Sequence, residues 1–491
     1  MSEPINSPPD CVTVLIIGAG PGGLCAGIKL VAAGITDFVI LEQASGVGGT
    51  WWHNRYPGAE CDVQSHLYSF SFAPKVDWSR PYAGQAEIRA YVEQVADKYG
   101  MLPHCYFNQT VTALRWIDKD SHWDVQTADG HRLTARFVIS GIGMFNEITQ
   151  PDIPGLDEFA GTVFHTARWQ DEHDLAGERV ALIGSAASAV QTAPEIAPIV
   201  GQLDIYQRTP QWVVPKKDAP FSDAELERFR SDPATVQALR AQIYRELEAA
   251  ILFDNPKMLA DAETAGRANI AAVQDPDLRR RLTPDWRYGC RRPLLSNKYY
   301  PMFNRPNVRL VDEGIGRVVP EGIVTQRGEL RPTDTIILAT GFETTLYLSA
   351  LDVTGRAGLA IKDAWRDGAI AYRGITTSGF PNLFMIYGPN TNNNSLITML
   401  ELETEYMVRH IRRMLDQGIA WIDVTPEAMI AYNEQLQKDI ASIEVWSNDC
   451  RGYYRAPSGR IVTQCPYTMT QFERILAAPD DANYETRRET A

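Results

Sequence analysis

Two stretches of the chain share one pattern of apolar and polar positions. The first, "VTVLIIGAGPGGLCAGIKLVAAG" (residues 12–34), is an apolar run, a turn and a helical pattern, and its turn carries Gly18, Gly20 and Gly23. A strand that is apolar at every position is covered on both faces, as in the middle of a parallel sheet. Glycines at this spacing allow a tight turn, close approach of backbone N–H groups to a pyrophosphate, and close packing of helix on strand. The stretch predicts a dinucleotide-binding strand, turn and helix.

The second stretch, "RVALIGSAASAVQTAPEIA" (residues 179–197), repeats this pattern with fewer glycines. It keeps Gly184 but has Ala186 and Ala189 where the other two glycines would stand. Alanine is the smallest departure from glycine, so the turn can survive while the backbone approaches a ligand less closely. Two such units predict an α/β fold with two Rossmann-like dinucleotide-binding domains. A strand and helix without a ligand is the alternative for the second unit.

The residue that follows the second strand differs between the units. Glu42 lies 24 residues after Gly18, and Arg208 lies 24 residues after Gly184. A carboxylate at this position accepts hydrogen bonds from a free ribose hydroxyl, whereas a guanidinium suits a 2′-phosphate. We therefore expect FAD in the first unit and NADPH, rather than NADH, in the second, with Thr209 as a further hydroxyl contact.

Each unit also has a hairpin pattern that leads into an apolar strand, at residues 122–143 and 322–342. These patterns set the predicted domain limits. The FAD-binding domain is expected at residues 1–147 and 371–491, and the NADPH-binding domain at 148–370.

A helical texture interrupts the second domain. Apolar residues recur there at helical spacing, at Val236, Leu239, Ile243 and Leu247. Ser222 and Asp223 suit a helix N-cap. We expect a helical insertion at residues 216–288 that belongs to the NADPH-binding domain and covers the substrate side. The last residues, 478–491, resemble a solvated tail.

Charge and cysteine content limit the partners. The formal net charge of -14 disfavours nucleic acid and anionic membranes. Seven scattered cysteines without a CxxC pair indicate neither a disulfide framework nor a zinc site, which fits a reducing compartment, the cytoplasm. Eight dispersed histidines without an HExxH pattern predict no metal. No protein partner is evident.

Three segments carry a resemblance to a known family. The join between the units, "FAGTVFHTARW", matches the pattern FxGxxxHxxxW through Phe159, Gly161, His165 and Trp169. The others are "GGTWWHNRYPGAECD" and "CRRPLLSNKYYPMFNRPNV". In these segments and their order, the chain resembles the type I Baeyer–Villiger monooxygenases, which are single-component flavin monooxygenases.

The resemblance implies an enzyme that uses FAD, NADPH and O2 to convert a ketone into an ester or lactone through a peroxyflavin. It places the family's active-site arginine at Arg292, where a fixed cation would stabilise a developing oxyanion. Asp62 would hold and tune that guanidinium. The resemblance gives His165 a hinge role rather than that of a base.

The glycine turns and the resemblance together define the expected cofactor contacts. Those to FAD are Gly18, Gly20, Gly23, Glu42, Gly49, Thr50, Trp51, Asp62 and Val111, with Trp52 as a second aromatic wall. Those to NADPH are Gly184, Ser185, Ala187, Gln191, Arg208, Thr209 and Arg291.

Other functions compete with this interpretation. A flavin monooxygenase that oxygenates nitrogen or sulfur needs no carbonyl-activating arginine, so Arg292 disfavours it. A flavin disulfide reductase needs a redox-active cysteine pair, and the sequence has no close pair. A flavin protein without turnover is suggested only by the missing glycines of "GSAASA".

Overall fold

The computed structural model describes residues 7–446 and 454–489 and contains two units, each built on a largely parallel sheet. The chain starts in the first unit, crosses to the second and returns. This architecture confirms the predicted α/β class with two Rossmann-like units.

The helices and strands follow the chain through these units. The first unit begins with β1 (Cys11–Ile17), α1 (Pro21–Ala32), β2 (Phe38–Glu42), α2 (Thr50–His53), α3 (Gln85–Lys98), β3 (Cys105–Phe107), β4 (Val111–Ile117), β5 (His122–Thr127) and β6 (Arg132–Ser140). The second unit and its insertion contain β7 (Thr162–His165), β8 (Arg179–Ile183), α4 (Ala187–Ile196), β9 (Gln202–Tyr206), β10 (Val213–Val214), α5 (Asp223–Ser231), α6 (Pro233–Ala250), α7 (Pro256–Ile270), α8 (Pro276–Leu282), β11 (Leu294–Leu295), α9 (Tyr299–Met302), β12 (Val308–Val311), β13 (Ile315–Val319), β14 (Gly322–Thr325), β15 (Leu330–Pro332) and β16 (Thr335–Leu338). The returning chain forms β17 (Asp352–Thr354), α10 (Ile361–Ala364), β18 (Leu383–Met385), α11 (Leu396–Gln417), β19 (Ile419–Val424), α12 (Pro426–Ala441), α13 (Met469–Ala477) and β20 (Tyr484–Arg488).

The first sheet has the strand order β17-β4-β5-β6-β1-β2-β3, and β18 also pairs with β6. Alternate residues of β1 enter two cores. Val14 and Ile16 pack toward α1 and α11, while Leu15 and Ile17 join the core on the opposite face. Cover on both faces explains why β1 is apolar without a break from Val14 to Ile17.

The second sheet has the order β12-β9-β8-β16-β7, with every pair parallel. The two predicted hairpins are present as β5–β6 and β14–β15. In the first hairpin, Gly130 takes a φ of 89° next to Asp129, as an Asp-Gly hairpin turn requires.

The two crossings between the units run side by side. The Thr149 N–H donates to the Gly341 carbonyl, and the Glu343 N–H donates to the Glu147 carbonyl. The first predicted boundary, at residue 147, falls at this crossing. The second, at residue 370, is too late, because β17 already pairs with β4 in the first sheet. Strand β17 is too short to show a period of its own, so the sequence pattern missed the return.

The helical insertion is divided between the units rather than belonging to the second alone. Ile243 of α6 is buried in the core of the first unit, whereas Ile270 and Leu282 join the core of the second. The predicted cap is correct, since Ser222 and Glu225 form a capping box at the start of α5. A helical period shows which face of a helix is buried, but not what covers that face.

The predicted solvated tail is only partly correct, because residues 485–489 are exposed but the segment is ordered. Strand β20 pairs antiparallel with β19, and Tyr484 is buried.

The cysteines also differ from expectation in one respect. Cys290 is disulfide-bonded, Cys450 lies outside the described residues, and the free thiols are Cys11, Cys25, Cys61, Cys105 and Cys465. Along the described chain, no helix has both the length and the apolarity to cross a membrane.

Candidate active site

The turn after β1 requires its glycines for steric reasons. Gly18 has a φ of 96°, and a Cβ on it would lie 2.7 Å from the Gly141 carbonyl oxygen. A Cβ on Gly23 would lie 1.9 Å from the Gly18 carbonyl oxygen. Helix α1 starts directly after Gly20, and no side chain caps it. Its first N–H groups are therefore available to an anion, as a pyrophosphate site requires.

A cavity of about 350 Å³ opens at this turn. Its walls include the predicted contacts Gly18, Gly20, Glu42, Gly49, Thr50 and Val111. The buried Glu42 carboxylate accepts the N–H groups of Ala19 (2.6 Å) and Ala44 (2.7 Å). Burial raises the pKa of Glu42, and these hydrogen bonds oppose the shift. A carboxylate has lone pairs left for ribose hydroxyls after two such bonds, so the lining fits a dinucleotide.

The far wall of the cavity comes from the returning chain. Leu396 and Leu400 of α11 line it beside Ile386 and Tyr387. Helix α11 has 22 residues, and no side chain caps its N-terminus. Unpaired N–H groups and the helix dipole favour an electron-rich ligand there. These residues, apart from Ile386, belong to the segment "YGPNTNNNSLITMLELETEYMVRHI", which by its resemblance to the family is expected beside flavin and substrate. Asn390 and Asn394 adopt there the left-handed backbone that Asn tolerates.

In the second unit, Gly184 fulfils the role of Gly18. Its φ is 133°, and a Cβ on it would lie 2.3 Å from the Ala339 carbonyl oxygen. Ala186 needs no glycine, because its φ is -88°, and Ala189 packs fully buried. Ala187, the first residue of α4, is exposed at a helix end without a side-chain cap. The Ser185 hydroxyl donates to the Thr209 carbonyl (3.1 Å), which ties the turn to the end of β9.

Two guanidinium groups converge beside this turn. Burial lowers the pKa of Arg291, and the positive charge of the exposed Arg208 lowers it further. Arg291 also lies over the Trp286 ring, with its guanidinium carbon 5.4 Å from the ring centroid. The Trp286 indole N–H donates to the Pro210 carbonyl, which fixes the ring next to the β9 end. Two like charges held together in this way fit a doubly charged anion such as a phosphate monoester.

Arg292 and Asp62, the two residues predicted to act in catalysis, form an ion pair. Arg292 donates to Asp62 from Nε to Oδ2 (2.7 Å) and from Nη2 to Oδ1 (2.9 Å). Each side chain is about one third exposed, 38% for Arg292 and 35% for Asp62. Burial would raise the pKa of Asp62, but the Arg292 charge and its hydrogen bonds hold that pKa below its ordinary value. The carboxylate therefore fixes the guanidinium at two points.

Gln191 lies between the units, which the sequence analysis did not foresee. Its Oε1 accepts the Tyr56 hydroxyl (2.8 Å), and its Nε2 donates to the Glu60 carbonyl (3.0 Å). A Cβ on Gly58 would lie 2.5 Å from the Gln191 carbonyl oxygen. Residues 55–62, here named the seam segment, therefore contact the second unit, and Arg55 adds an ion pair with Asp171 (3.1 Å).

The two adjacent tryptophans differ in their surroundings. Trp51 is buried, and its indole N–H donates to the Tyr68 hydroxyl (3.1 Å). The Trp52 ring instead covers Gly46 and lies under Arg89, whose guanidinium carbon is 4.1 Å from the ring centroid. Trp51 is thus the better candidate for an aromatic wall, and Trp52 packs elsewhere.

The structure explains the residue types found at the join between the two units. Gly161 passes over the second sheet, where a Cβ would lie 2.1 Å from the Asp334 carbonyl oxygen. Phe159 packs on the core beside β16, and Trp169 packs edge-on against Phe164. His165 Nδ1 accepts the Ala167 N–H (3.1 Å) and caps the following turn.

The imidazole of His165 is a weak base in this position. Burial lowers its pKa to about 4, and the nearby Arg168 charge contributes to the shift. With Nδ1 acting as an acceptor, the ring is neutral and carries its proton on Nε2. This chemistry fits a structural residue at the join and not a proton acceptor.

Among the described side chains, His410, Asp480 and Asp481 lie close enough together to suggest a metal site. The protein's own cations already neutralise these carboxylates. Arg373 lies 3.1 Å from Asp480, and Arg413 pairs with Asp481. We assign no metal to this group.

Known proteins are similar to this chain along almost its whole length. The family model for pyridine nucleotide-disulphide oxidoreductases matches residues 15–231. A Baeyer-Villiger monooxygenase of Streptomyces coelicolor is 42% identical over 484 residues, which cover 97% of this chain and 93% of that protein. A solved oxidised steroid monooxygenase bound to NADP is 30% identical, with a TM-score of 0.87, and the match covers 98% of this chain and 100% of that one. The OTEMO complex with FAD and NADP is 28% identical, with a TM-score of 0.86 and coverages of 97% and 99%. With this identity over nearly its full length, the chain belongs to the Baeyer–Villiger monooxygenases.

Proposed function

We propose that the chain is an FAD- and NADPH-dependent monooxygenase that uses O2 to convert a ketone into an ester or lactone. The observation that carries the proposal is the two-point pairing of Arg292 with Asp62 beside the contact between two dinucleotide-binding units. Membership of the Baeyer–Villiger monooxygenases supports it. One oxygen atom of O2 enters the ketone between the carbonyl carbon and its neighbour, the other leaves as water, and NADPH supplies two electrons.

FAD is assigned to the first unit. The proposed contacts at the cavity are Gly18, Gly20, Glu42, Gly49, Thr50 and Val111, with Gly23 packed beneath the turn and with Trp51 and Asp62 toward the second unit. The open N-termini of α1 and α11 suit the pyrophosphate and the flavin ring respectively. When bound, the reduced flavin supplies the electrons that activate O2.

NADPH is assigned to the second unit. Gly184, Ser185 and Ala187 would border its pyrophosphate at the start of α4, with Thr209 beside them. Arg208 and Arg291 would bind the 2′-phosphate, whose charge relieves their mutual repulsion. Gln191 would place this unit against the seam segment as well as bordering the cofactor. These assignments put residues 344–370 outside the NADPH-binding domain, in line with the pairing of β17.

Arg292 and Asp62 would act on the ketone. Attack on the carbonyl carbon moves negative charge onto the carbonyl oxygen, and a guanidinium that is already fixed stabilises that charge without reorganising. Asp62 holds the fork of Arg292 through two charge-assisted hydrogen bonds. Removing one donor of this kind typically costs about 3 to 4 kcal/mol in the transition state.

The test compares Arg292→Ala with the wild type at equal bound flavin. We expect NADPH to reduce the flavin without O2 within about threefold of the wild-type rate, while ester formation falls by about a hundredfold or more. Products from cyclic, linear and aromatic ketones and one sulfide are identified by mass spectrometry. Arg309→Ala, which removes an exposed arginine on β12, is the matched control.

The outcomes separate the competing functions. Ester formation at the wild-type rate in Arg292→Ala would remove this residue from the reaction. Sulfoxide without any ester from the wild-type enzyme would replace the proposal by sulfur oxygenation. We also propose a cytoplasmic location, which the free thiols support although Cys290 is bonded.

A further inference from the structure

Lys216 is a buried lysine at the contact between the two units, and the cofactor and catalytic assignments do not use it. Its side chain is 4% exposed. Nζ lies 2.7 Å from Glu60 Oε1 and 3.4 Å from Asp218 Oδ2, and 4.9 Å from the centroid of the Tyr82 ring. Burying an ammonium group is costly unless carboxylates compensate for its lost hydration. These partners have that effect, and Glu60 belongs to the other unit.

The backbone of Lys216 is fixed to the loop that carries Arg292. Strands β10 and β11 form a short parallel ribbon, and Arg292 comes just before β11. Beyond the ribbon, the Lys216 N–H donates to Asn297 Oδ1 (2.8 Å), and Asn297 Nδ2 donates to the Lys216 carbonyl (2.7 Å). Arg292 and Lys216 are therefore parts of one braced element of the second unit.

Two ion pairs join this element to the seam segment. Arg292 pairs with Asp62, and Lys216 pairs with Glu60, two residues earlier on the same segment. The bidentate Arg292–Asp62 pair fixes the guanidinium against the carboxylate, and the second pair, two residues away, limits how the seam segment as a whole can turn against this element. Lys216 also lowers the pKa of Asp62 through its charge, after the effects of burial and of Arg292.

We propose that Lys216 is a positioning residue for Arg292: its ion pair with Glu60 sets the orientation in which the Arg292–Asp62 pair meets the substrate. This inference rests on the proposed function for its effect on ester formation. The ionic tie itself does not depend on that function. Lys216 touches no substrate in this role and acts only through the seam segment and the β10–β11 ribbon.

The test uses the full-length enzyme with FAD bound and the variants Lys216→Met, Glu60→Gln and the double variant. We expect Lys216→Met to make about tenfold less ester per NADPH oxidised, because small misplacements of a catalytic group are costly. The KM for NADPH should stay within about twofold, since the proposed phosphate contacts are elsewhere. The double variant should be no worse than either single one, and Lys216→Arg should restore most of the yield.

The matched control is Lys298→Met. Lys298 lines the same cleft and pairs with Glu195 at 2.7 Å, but both residues belong to the second unit. Its side chain is 72% exposed, so we expect the ester yield to stay at the wild-type level. Additive losses in the double variant, or an equal loss in Lys298→Met, would overturn the positioning role.

A second measurement does not depend on the reaction. Hydrogen–deuterium exchange should become faster in residues 55–62 and 292–297 of Lys216→Met and remain unchanged in Lys298→Met. Unchanged exchange in Lys216→Met would refute the ionic tie itself. If the wild type makes no ester from any ketone while exchange rises as expected, the proposed function fails and the tie between the units stands.

Discussion

Replacing Glu403 by glutamine separates the contribution of one buried carboxyl group to the pH dependence of the free energy of unfolding from the contributions of all other groups. Glu403 is on α11, and its side chain is fully buried. Oε2 accepts the Tyr387 N–H (2.8 Å). Burial raises the pKa of Glu403 from 4.5 to about 8, and the hydrogen bonds from the Tyr387 N–H and the Thr391 side chain oppose this shift. The folded protein therefore keeps a proton at pH 7 that the unfolded chain has lost.

The sign and size of the effect follow from proton linkage. Between pH 4.5 and pH 8 the folded state binds the extra proton, so the free energy of unfolding falls as pH rises, by about 1.4 kcal/mol per pH unit. From pH 5 to pH 8 the loss is about 4 kcal/mol. Glutamine keeps the shape and has no proton to lose, so Glu403→Gln removes this loss. At an unfolding entropy typical of this chain length, the difference corresponds to about 4 °C in Tm.

The assay is scanning calorimetry with FAD bound, at a fixed scan rate, from pH 5.5 to pH 8.5. The Tm of Glu403→Gln minus that of the wild type should increase by a few degrees across this range. Glu434→Gln, at an exposed position of α12, is the control and should show a constant difference. A constant difference for Glu403→Gln as well would show that the buried carboxyl group titrates near its ordinary pKa, and the reasoning would be wrong.

Two further predictions concern the second unit. Arg208→Ala should raise the KM for NADPH about tenfold or more and leave that for NADH within about twofold, because only NADPH carries the 2′-phosphate. Equal effects in steady-state assays with the two coenzymes would contradict the phosphate assignment, and Arg309→Ala is the matched control. Gly184→Ala should lower Tm by several degrees, since its Cβ would meet the Ala339 carbonyl oxygen at 2.3 Å. Gly177→Ala is the control, because Gly177 has a φ of 75° but no heavy atom within 4 Å of a Cβ. It should lower the free energy of unfolding by only about 1 kcal/mol. Similar losses of Tm for the two variants would refute the steric argument.

The parts of the fold that the sequence predicts depend on neighbours in the chain. Gly18 is needed because its own backbone has a positive φ beside Gly141, and the apolar strand next to it is buried on both faces. Glycine spacing and apolar runs carry this information locally. The capping box of Ser222 and Glu225 is local in the same way. Such features could be inferred before the tertiary structure was known.

The parts that the sequence analysis missed depend on distant contacts. Strand β17 belongs to the first sheet only because it meets β4, and β20 is a strand only because β19 lies beside it. Gln191 has the sequence context of a nucleotide turn, but its amide contacts Tyr56 and Glu60 in the other unit. No period or motif within a few residues of these positions records such a partner, so residue type alone could not assign it.

The distribution of contacts between the units also limits how they can move. The crossings are held by backbone hydrogen bonds between residues 147–149 and 341–343, and Gly341 takes a φ of 84° with no heavy atom within 4 Å of a Cβ. The seam segment is held instead by side-chain contacts, each typically worth about 0.5 to 1.5 kcal/mol when neutral and somewhat more when charged. Rotation about the crossings would break the seam contacts first, and it would separate Arg292 from Asp62 in the same movement. The Arg292–Asp62 pair is therefore complete only when the two units are in contact, so we expect the proposed activation of the substrate to depend on the position of the second unit.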